Sequence, residues 1–505
     1  MQWTQTRRFR NSIIPGLLAA LLAAGCSEND AATPTNSSVV GETWDVNYLG
    51  GARVGYTHTT VTEVAESTRK LVETEAVDYF SVKRFGDRAT LGIRTVSTET
   101  RDAKLIEYRC ETSLGSAPTK STGRVAGDRL ELKTTSKGKT TNRSIAWSDD
   151  IGGPFADQRS LRDKPMQPGE KRSFRMIAAV FNQVAAVEMT AADNEQVQLP
   201  DGAKQLLRIE MVASFSAGQS LSSVYWCDPK GEIIRVHSEG GTARVRGTKE
   251  LAMAKTDAVD LDLGYDMTVK VARALPNPHA TRRVRYRVQL KENDPAKVFA
   301  SGPSQQVKSI DRRTAEITVY ALRPGRPGDP DATRDPPTDG DRKPSNMIQS
   351  DFPKIVAIAR QAAGDETDAW QVARKLEHYV REYIEEKGFT QALATAAEVA
   401  EKPVGDCSEH AMLLAAVARA RGIPARVAMG LVYMFNARAF CYHMWTEVYV
   451  DDRWIPLDGT LALGGIGAAH LKLAHSNFKN EASLLSLLPL IKAIGQLKIE
   501  IIEIE

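Results

Sequence analysis

Cysteine is scarce, with five in 505 residues. That density makes no disulfide framework of the kind that staples small secreted domains. Cys26, Cys110, Cys227, Cys407 and Cys441 contain no C-x-x-C pair, so the sequence points to no structural zinc site. Cys110 and Cys227 could pair in an oxidising compartment, and spacing does not decide it. An excess of one charge is also missing. The formal net charge of +3 gives no reason to expect a nucleic-acid partner or an acidic substrate. The apolar run at 13–24 is too short to cross a bilayer comfortably. No metal or cofactor is expected.

That run belongs to an export signal. Arg7, Arg8 and Arg10 form a basic start, and the run ends Leu22-Ala23-Ala24-Gly25-Cys26. Small residues before a cysteine resemble a bacterial lipobox, which would make Cys26 the lipidated first residue of a membrane-anchored lipoprotein. Residues 1–26 are therefore read as signal peptide and 27–41 as a polar, flexible tether. Ser27 after the cysteine resembles outer-membrane sorting, facing the periplasm.

Residues 42–265 read as a mainly-β domain. The segments 44–49 and 54–61 flank Gly50-Gly51, a hairpin signature. Further strands are expected at 89–99, 105–114, 129–135, 205–216, 222–226 and 233–239. His58 and His237 stand singly, without a cluster at catalytic spacing. The region reads as a platform for binding or positioning, separable from any chemistry. A smaller β segment is expected over 266–323, and the Pro-, Gly- and Asp-rich stretch 324–345 reads as a linker.

The remainder, 346–505, turns helical and then mixed. Ile355, Ala357, Ile358 and Ala362 predict one apolar helix face, and Trp370, Val372, Ala373, Leu376, Tyr379, Val380, Tyr383 and Ile384 another. The tail 497–505 alternates and predicts an amphipathic strand for a sheet edge.

Chemistry concentrates in 405–460. Asp406 and Glu409 have capping-box spacing, which makes Cys407 the first residue of an apolar helix ended by Gly422 and Pro424. A thiol there feels the positive end of the helix dipole, which favours thiolate. Residues 442–450 and 453–457 alternate around Asp451-Asp452, a two-residue hairpin loop. With Val450 facing Arg453, Trp445 falls opposite Asp458 and His443 opposite Thr460. His443 and Asp458 are then diagonal neighbours, roughly 7–8 Å apart at the backbone. A carboxylate, an imidazole and a thiol in that relation form a nucleophile, base and orienter.

Gly-Asp-Cys at 405–407, Gly-Ile-Pro-Ala-Arg at 422–426, His-Met-Trp-Thr-Glu-Val at 443–448 and Trp-Ile-Pro-Leu-Asp-Gly-Thr at 454–460 together resemble the transglutaminase-like superfamily. The resemblance implies a papain-like α+β domain at the C-terminus, after the large mainly-β region. It also implies Cys407 as nucleophile, His443 as base and Asp458 as orienter. Gly459 departs from the proline usual there. The family often places an upstream side chain as oxyanion donor, which brings in Tyr379 and Tyr383, although the Cys407 N–H is the stronger candidate.

His410, one turn along the same helix, is a rival base, and Glu447 is a rival carboxylate. Cys441 reads as packing. The implied activity is attack on an amide or peptide carbonyl through a thioacyl-cysteine, on a peptide or protein substrate in the cell envelope. Two other readings stand beside it. One is a non-catalytic, lipid-anchored scaffold. The other is a metal enzyme using Cys407, His410 and His443, for which Cys-x-x-His is a thin signal.

Overall fold

The computed structural model describes residues 36–66, 69–113, 118–136, 139–215, 218–254, 261–326, 328–389 and 393–505. The expected signal segment, Cys26 and most of the expected tether lie outside these residues. The last part of that tether, 36–41, is not loose chain. It opens the strand Asn36–Leu49 and pairs with residues 61–65 of the next strand, so backbone hydrogen bonds outweigh its polar composition.

Fifteen strands form one sheet among the described residues. The chain meanders outward through eight strands, crosses to the far end, and meanders back. Thr242–Gly247 then pairs antiparallel with Asn36–Leu49. Gly50 and Gly51 make the first turn with φ of 58° and 86°, values a Cβ would oppose. The two arms of the sheet meet. Tyr108, Leu130 and Leu132 pack with Ile151 and Ile177, and the buried Tyr108 hydroxyl donates to Asn182 Oδ1 at 2.6 Å. Cys110 and Cys227 are buried free thiols.

The rest is a three-layer body. Its central sheet runs Val269–Lys270, Ala439–Val450, Ala425–Met434, His470–Ser476, with Arg453–Leu457 hairpinned onto Ala439–Val450. Ala425–Met434 is buried at every position but the last, as a strand covered on both faces should be. One cover is helical: Pro353–Ala363, Ala369–Tyr383 and Cys407–Ala420 bury Ile355, Ile358, Leu376, Val380 and residues 411–418 against Val427, Met429 and Val448. The other cover is a four-stranded sheet, Gln305–Asp311, Thr314–Tyr320, Arg283–Leu290, Leu497–Ile504. Its Tyr286, Val288, Ile317 and Ile499 pack on Leu431, Phe440 and Leu471.

The division at 324–345 therefore runs through one body. The C-terminal strand pairs with Arg283–Leu290, upstream of the expected linker. The linker itself is pinned to the central sheet: Arg426 pairs with Asp335 at 2.5 Å, and Trp454 Nε1 donates to the Asp335 carbonyl at 2.7 Å. Its composition leaves it, among the described residues, a single 3-10 turn, Asp339–Asp341, but a fixed path. Among the described residues, no helix is long and apolar enough to cross a membrane.

The large sheet is seated on this body at several points. Lys139 pairs with Asp351 at 3.0 Å, and Leu485 and Leu488 enter the core of the returning arm. Between them, Arg84 reaches Asp406.

Candidate functional site

Cys407 starts its helix as the capping box requires. Asp406 Oδ1 accepts from Ser408 N at 2.8 Å, and Glu409 Oε2 accepts from Asp406 N at 2.8 Å. The hairpin that carries the other two residues has the expected register, Val450 opposite Arg453 through Thr446 opposite Leu457. Asp451 and Asp452 turn it with φ of 50° and 58°, a left-handed pair that acidic side chains tolerate and that matches strand twist. Asp458 follows directly, and His443 Nε2 donates to its Oδ2 at 2.7 Å. The other ring nitrogen is left for Cys407, and the His443 side chain and the Met444 N–H both favour the thiolate there. The structure thus brings Cys407, His443 and Asp458 together in the predicted order.

Their electrostatics follow from burial. Burial disfavours the His443 imidazolium, yet the Asp458 carboxylate and Cys407 outweigh it and hold the imidazole well above its usual range. Burial also works against the Asp458 carboxylate, and His443 and His470 overcome it, holding the group well below the carboxylate range. Cys407 departs from the expectation of a helix-terminus thiolate. Burial and the adjacent Asp406 carboxylate push the thiol up, and His443 and the Met444 N–H offset this only in part. The capping side chain is itself the charge that works against the dipole.

The rivals sit elsewhere. His410 donates Nδ1–H to the Asp406 carbonyl at 2.6 Å, and burial pushes its imidazole down. Glu447 is held by Lys472 at 2.6 Å and Arg426 at 2.7 Å. Burial alone would raise its pKa, and the two cations bring it to about 2. Lys472 is pushed down to about 8, because burial costs the ammonium more than one carboxylate returns. Tyr383 gives its hydroxyl to the Ala400 carbonyl at 2.6 Å, which engages it away from the site, and the Tyr379 ring stacks on Tyr383.

Glu447→Gln should leave two buried cations underpaired and lower stability by roughly 3–5 kcal/mol in urea unfolding. The carboxylate's contribution is full above pH 4.5 and is lost as pH falls towards about 2, so the deficit should shrink in acid. A loss below about 1 kcal/mol at pH 7, the level of an exposed pair, would show that the cluster carries no such weight.

Three contributors escaped the sequence. His470, fully buried, donates Nε2–H to the same Asp458 oxygen at 3.1 Å. Glu377 accepts from Asp458 N at 2.9 Å and Gly464 N at 2.8 Å, pinning the loop that presents Asp458. Arg84, from the end of Arg69–Arg84 in the large sheet, is ion-paired with Asp406. The alternation of His470–Ser476 marks a strand, but nothing local names its partner. Arg84 lies 322 residues from Asp406. The β region is therefore not separable from the site. The donor atoms of His443, Asp458 and His470 lie within 4.8 Å of one another, close enough to hold a metal ion. An ion there would take the atoms that orient His443.

The family profile of the transglutaminase-like superfamily matches residues 356–459. No curated protein matches the chain. Among solved structures, the chain is similar to a candidate cysteine protease from Cytophaga hutchinsonii, at 16% identity over 45% of this chain and 89% of that one, TM-score 0.29. It is also similar to a DUF1089 family protein from Pseudomonas aeruginosa, at 11% identity over 43% and 95%, TM-score 0.19. A third similarity is to a candidate protease from Parabacteroides distasonis, at 9% over 68% and 64%, TM-score 0.18. These likenesses are too distant to carry a functional argument. Helix start, thiol, imidazole and carboxylate all fall within or beside the matched segment, and residues 356–459 are a transglutaminase-like domain set at the C-terminal side of a large β region.

Proposed function

We propose that this protein is a cysteine enzyme of the cell envelope that attacks an amide or peptide carbonyl through Cys407. The observation that carries the reading is the His443 Nε2 bond to the Asp458 carboxylate at 2.7 Å, which leaves the other ring nitrogen to act on the Cys407 thiol. His443 takes the thiol proton as sulfur bonds to the carbonyl carbon. The Cys407 backbone N–H, at the helix start and outside the intrahelical ladder, receives the oxyanion. The carbon–nitrogen bond then breaks, and His443 returns the proton to the leaving amine. A thioester remains on Cys407. Water releases an acid, and a second amine releases a new amide, with His443 again taking the proton. The short apolar run ending at Cys26 supports export and lipid anchoring.

The test uses the full chain in detergent with envelope-type peptides and a primary-amine probe. Intact mass should show an acyl adduct mapped to Cys407, absent in Cys407→Ser, and Cys26→Ala should leave the membrane fraction. A folded protein that never acylates would overturn the chemistry in favour of a scaffold. Cys26→Ala that still fractionates with membranes would overturn the anchor.

A further inference from the structure

The hairpin tip that delivers Arg84 is built unusually. Its turn is Phe85-Gly86, with φ of 51° and 91°. Small or Asx residues suit such turns, and a bulky aromatic in the left-handed region is strained. The strain is held by neighbours: the Phe85 and Gly86 N–H groups donate to the Asp262 carboxylate at 2.9 and 2.7 Å. Leu263 N donates to the Lys83 carbonyl at 2.8 Å. Strain maintained in this way points to a task for the side chain.

Phe85 stands 39% exposed with its ring 4.8 Å from Phe389 and 5.3 Å from Tyr265, itself 62% exposed. Beneath this aromatic rim is a cavity of about 150 Å³, with Arg84, Phe85, Leu263, Met267, Cys441 and Tyr442 among its lining residues. The hydroxyl of Tyr442 is buried and has no hydrogen-bond partner among the described residues. Two lining residues lead from the cavity towards the reactive residues. Arg84 is paired with Asp406, the neighbour of Cys407, and Cys441 lies two residues before His443, near enough for charge on Cys407 to act on its thiol.

We propose that this cavity receives an apolar side chain, aromatic or branched, of the residue whose carbonyl Cys407 attacks. The assignment rests on the proposed thiol chemistry. An apolar cavity of this size accepts a benzene-sized ring. Mostly apolar walls with a few polar groups are what a recognition pocket needs. An exposed aromatic cluster at its mouth is the kind of patch that marks a binding surface. The pocket draws walls from both parts of the molecule, so the large sheet selects the substrate as well as bracing the nucleophile.

Acetyl-dipeptidyl chloromethyl ketones differing only at the residue beside the ketone (Phe, Leu, Ala, Glu) read this pocket without a known substrate. Rates of Cys407 modification in the full-length protein should favour Phe and Leu over Ala by on the order of tenfold or more, with Glu slowest. Met267→Trp should collapse the Phe-to-Ala ratio by filling the cavity. Met267→Ala, which removes a wall without crowding, should shift the preference towards Phe over Leu. Equal Phe and Ala rates, Glu fastest, or a ratio unchanged in both Met267 variants would overturn the assignment. Failure of the underlying chemistry reads differently: iodoacetamide would then modify Cys407 at the same rate with and without His443.

Discussion

Asp458→Asn is expected to fold and to lose roughly 10³–10⁴-fold in acylation rate, the scale seen when the orienting carboxylate of a triad becomes an amide. The carboxylate accepts from His443 at 2.7 Å and from His470 at 3.1 Å, both through Oδ2. An amide nitrogen placed there would face two N–H donors. One imidazole would have to change tautomer, and a His443 with hydrogen on the nitrogen facing sulfur cannot take the thiol proton. The backbone bond from Thr460 to Asp458 Oδ1 at 2.8 Å survives substitution and keeps the loop in place. Acylation by an activated ester, followed by stopped-flow or quench, measures the loss. A decrease below about tenfold would show that Asp458 supports structure rather than proton transfer.

The second large effect comes from the other end of the chain. Arg84→Ala should raise the pH midpoint of Cys407 alkylation by about half a unit or more, since the Asp406 carboxylate would act on the sulfur unopposed. Asp406 already pushes the thiol up with Arg84 in place. Arg84→Lys should restore most of the wild-type profile, because it returns the charge though not the forked geometry. Thermal melting run in parallel separates this from unfolding: loss of packing lowers the melting temperature without moving the midpoint. An unmoved midpoint in a folded Arg84→Ala would remove the β region from the chemistry.

What could be read from the sequence was local. The Asp406 and Glu409 capping box, the Asp451-Asp452 turn and the alternation beyond it depend on neighbours along the chain, and the structure keeps each of them. The hairpin register alone carried His443 to Asp458. Contacts between distant segments were not legible. His470, Glu377 and Arg84 reach the site only through sheet order and helix packing. The strand Gln183–Leu199 is rich in alanine and acidic residues, a composition that suits helix, and cross-strand pairing overrides it. Residues 324–345 read as a linker because their Pro, Gly and Asp content disfavours any long helix or strand, and composition is silent about the ion pair between Asp335 and Arg426. The acidity of Cys407 is legible only in part, for a related reason. The dipole of a helix start can be read from sequence, but the burial that opposes it cannot.

In the proposed mechanism His443 activates Cys407. The direct measurement is the rate of Cys407 alkylation by iodoacetamide against pH, by peptide-resolved mass spectrometry, in wild type, His443→Ala and His410→Asn. Wild type should titrate on the alkaline side of neutral, as its raised thiol requires. His443→Ala should titrate higher still, having lost the group that lowers it, and should no longer acylate. His410→Asn should follow wild type, since His410 bonds the Asp406 carbonyl rather than the sulfur. A profile that is unchanged in His443→Ala and displaced in His410→Asn would contradict the account.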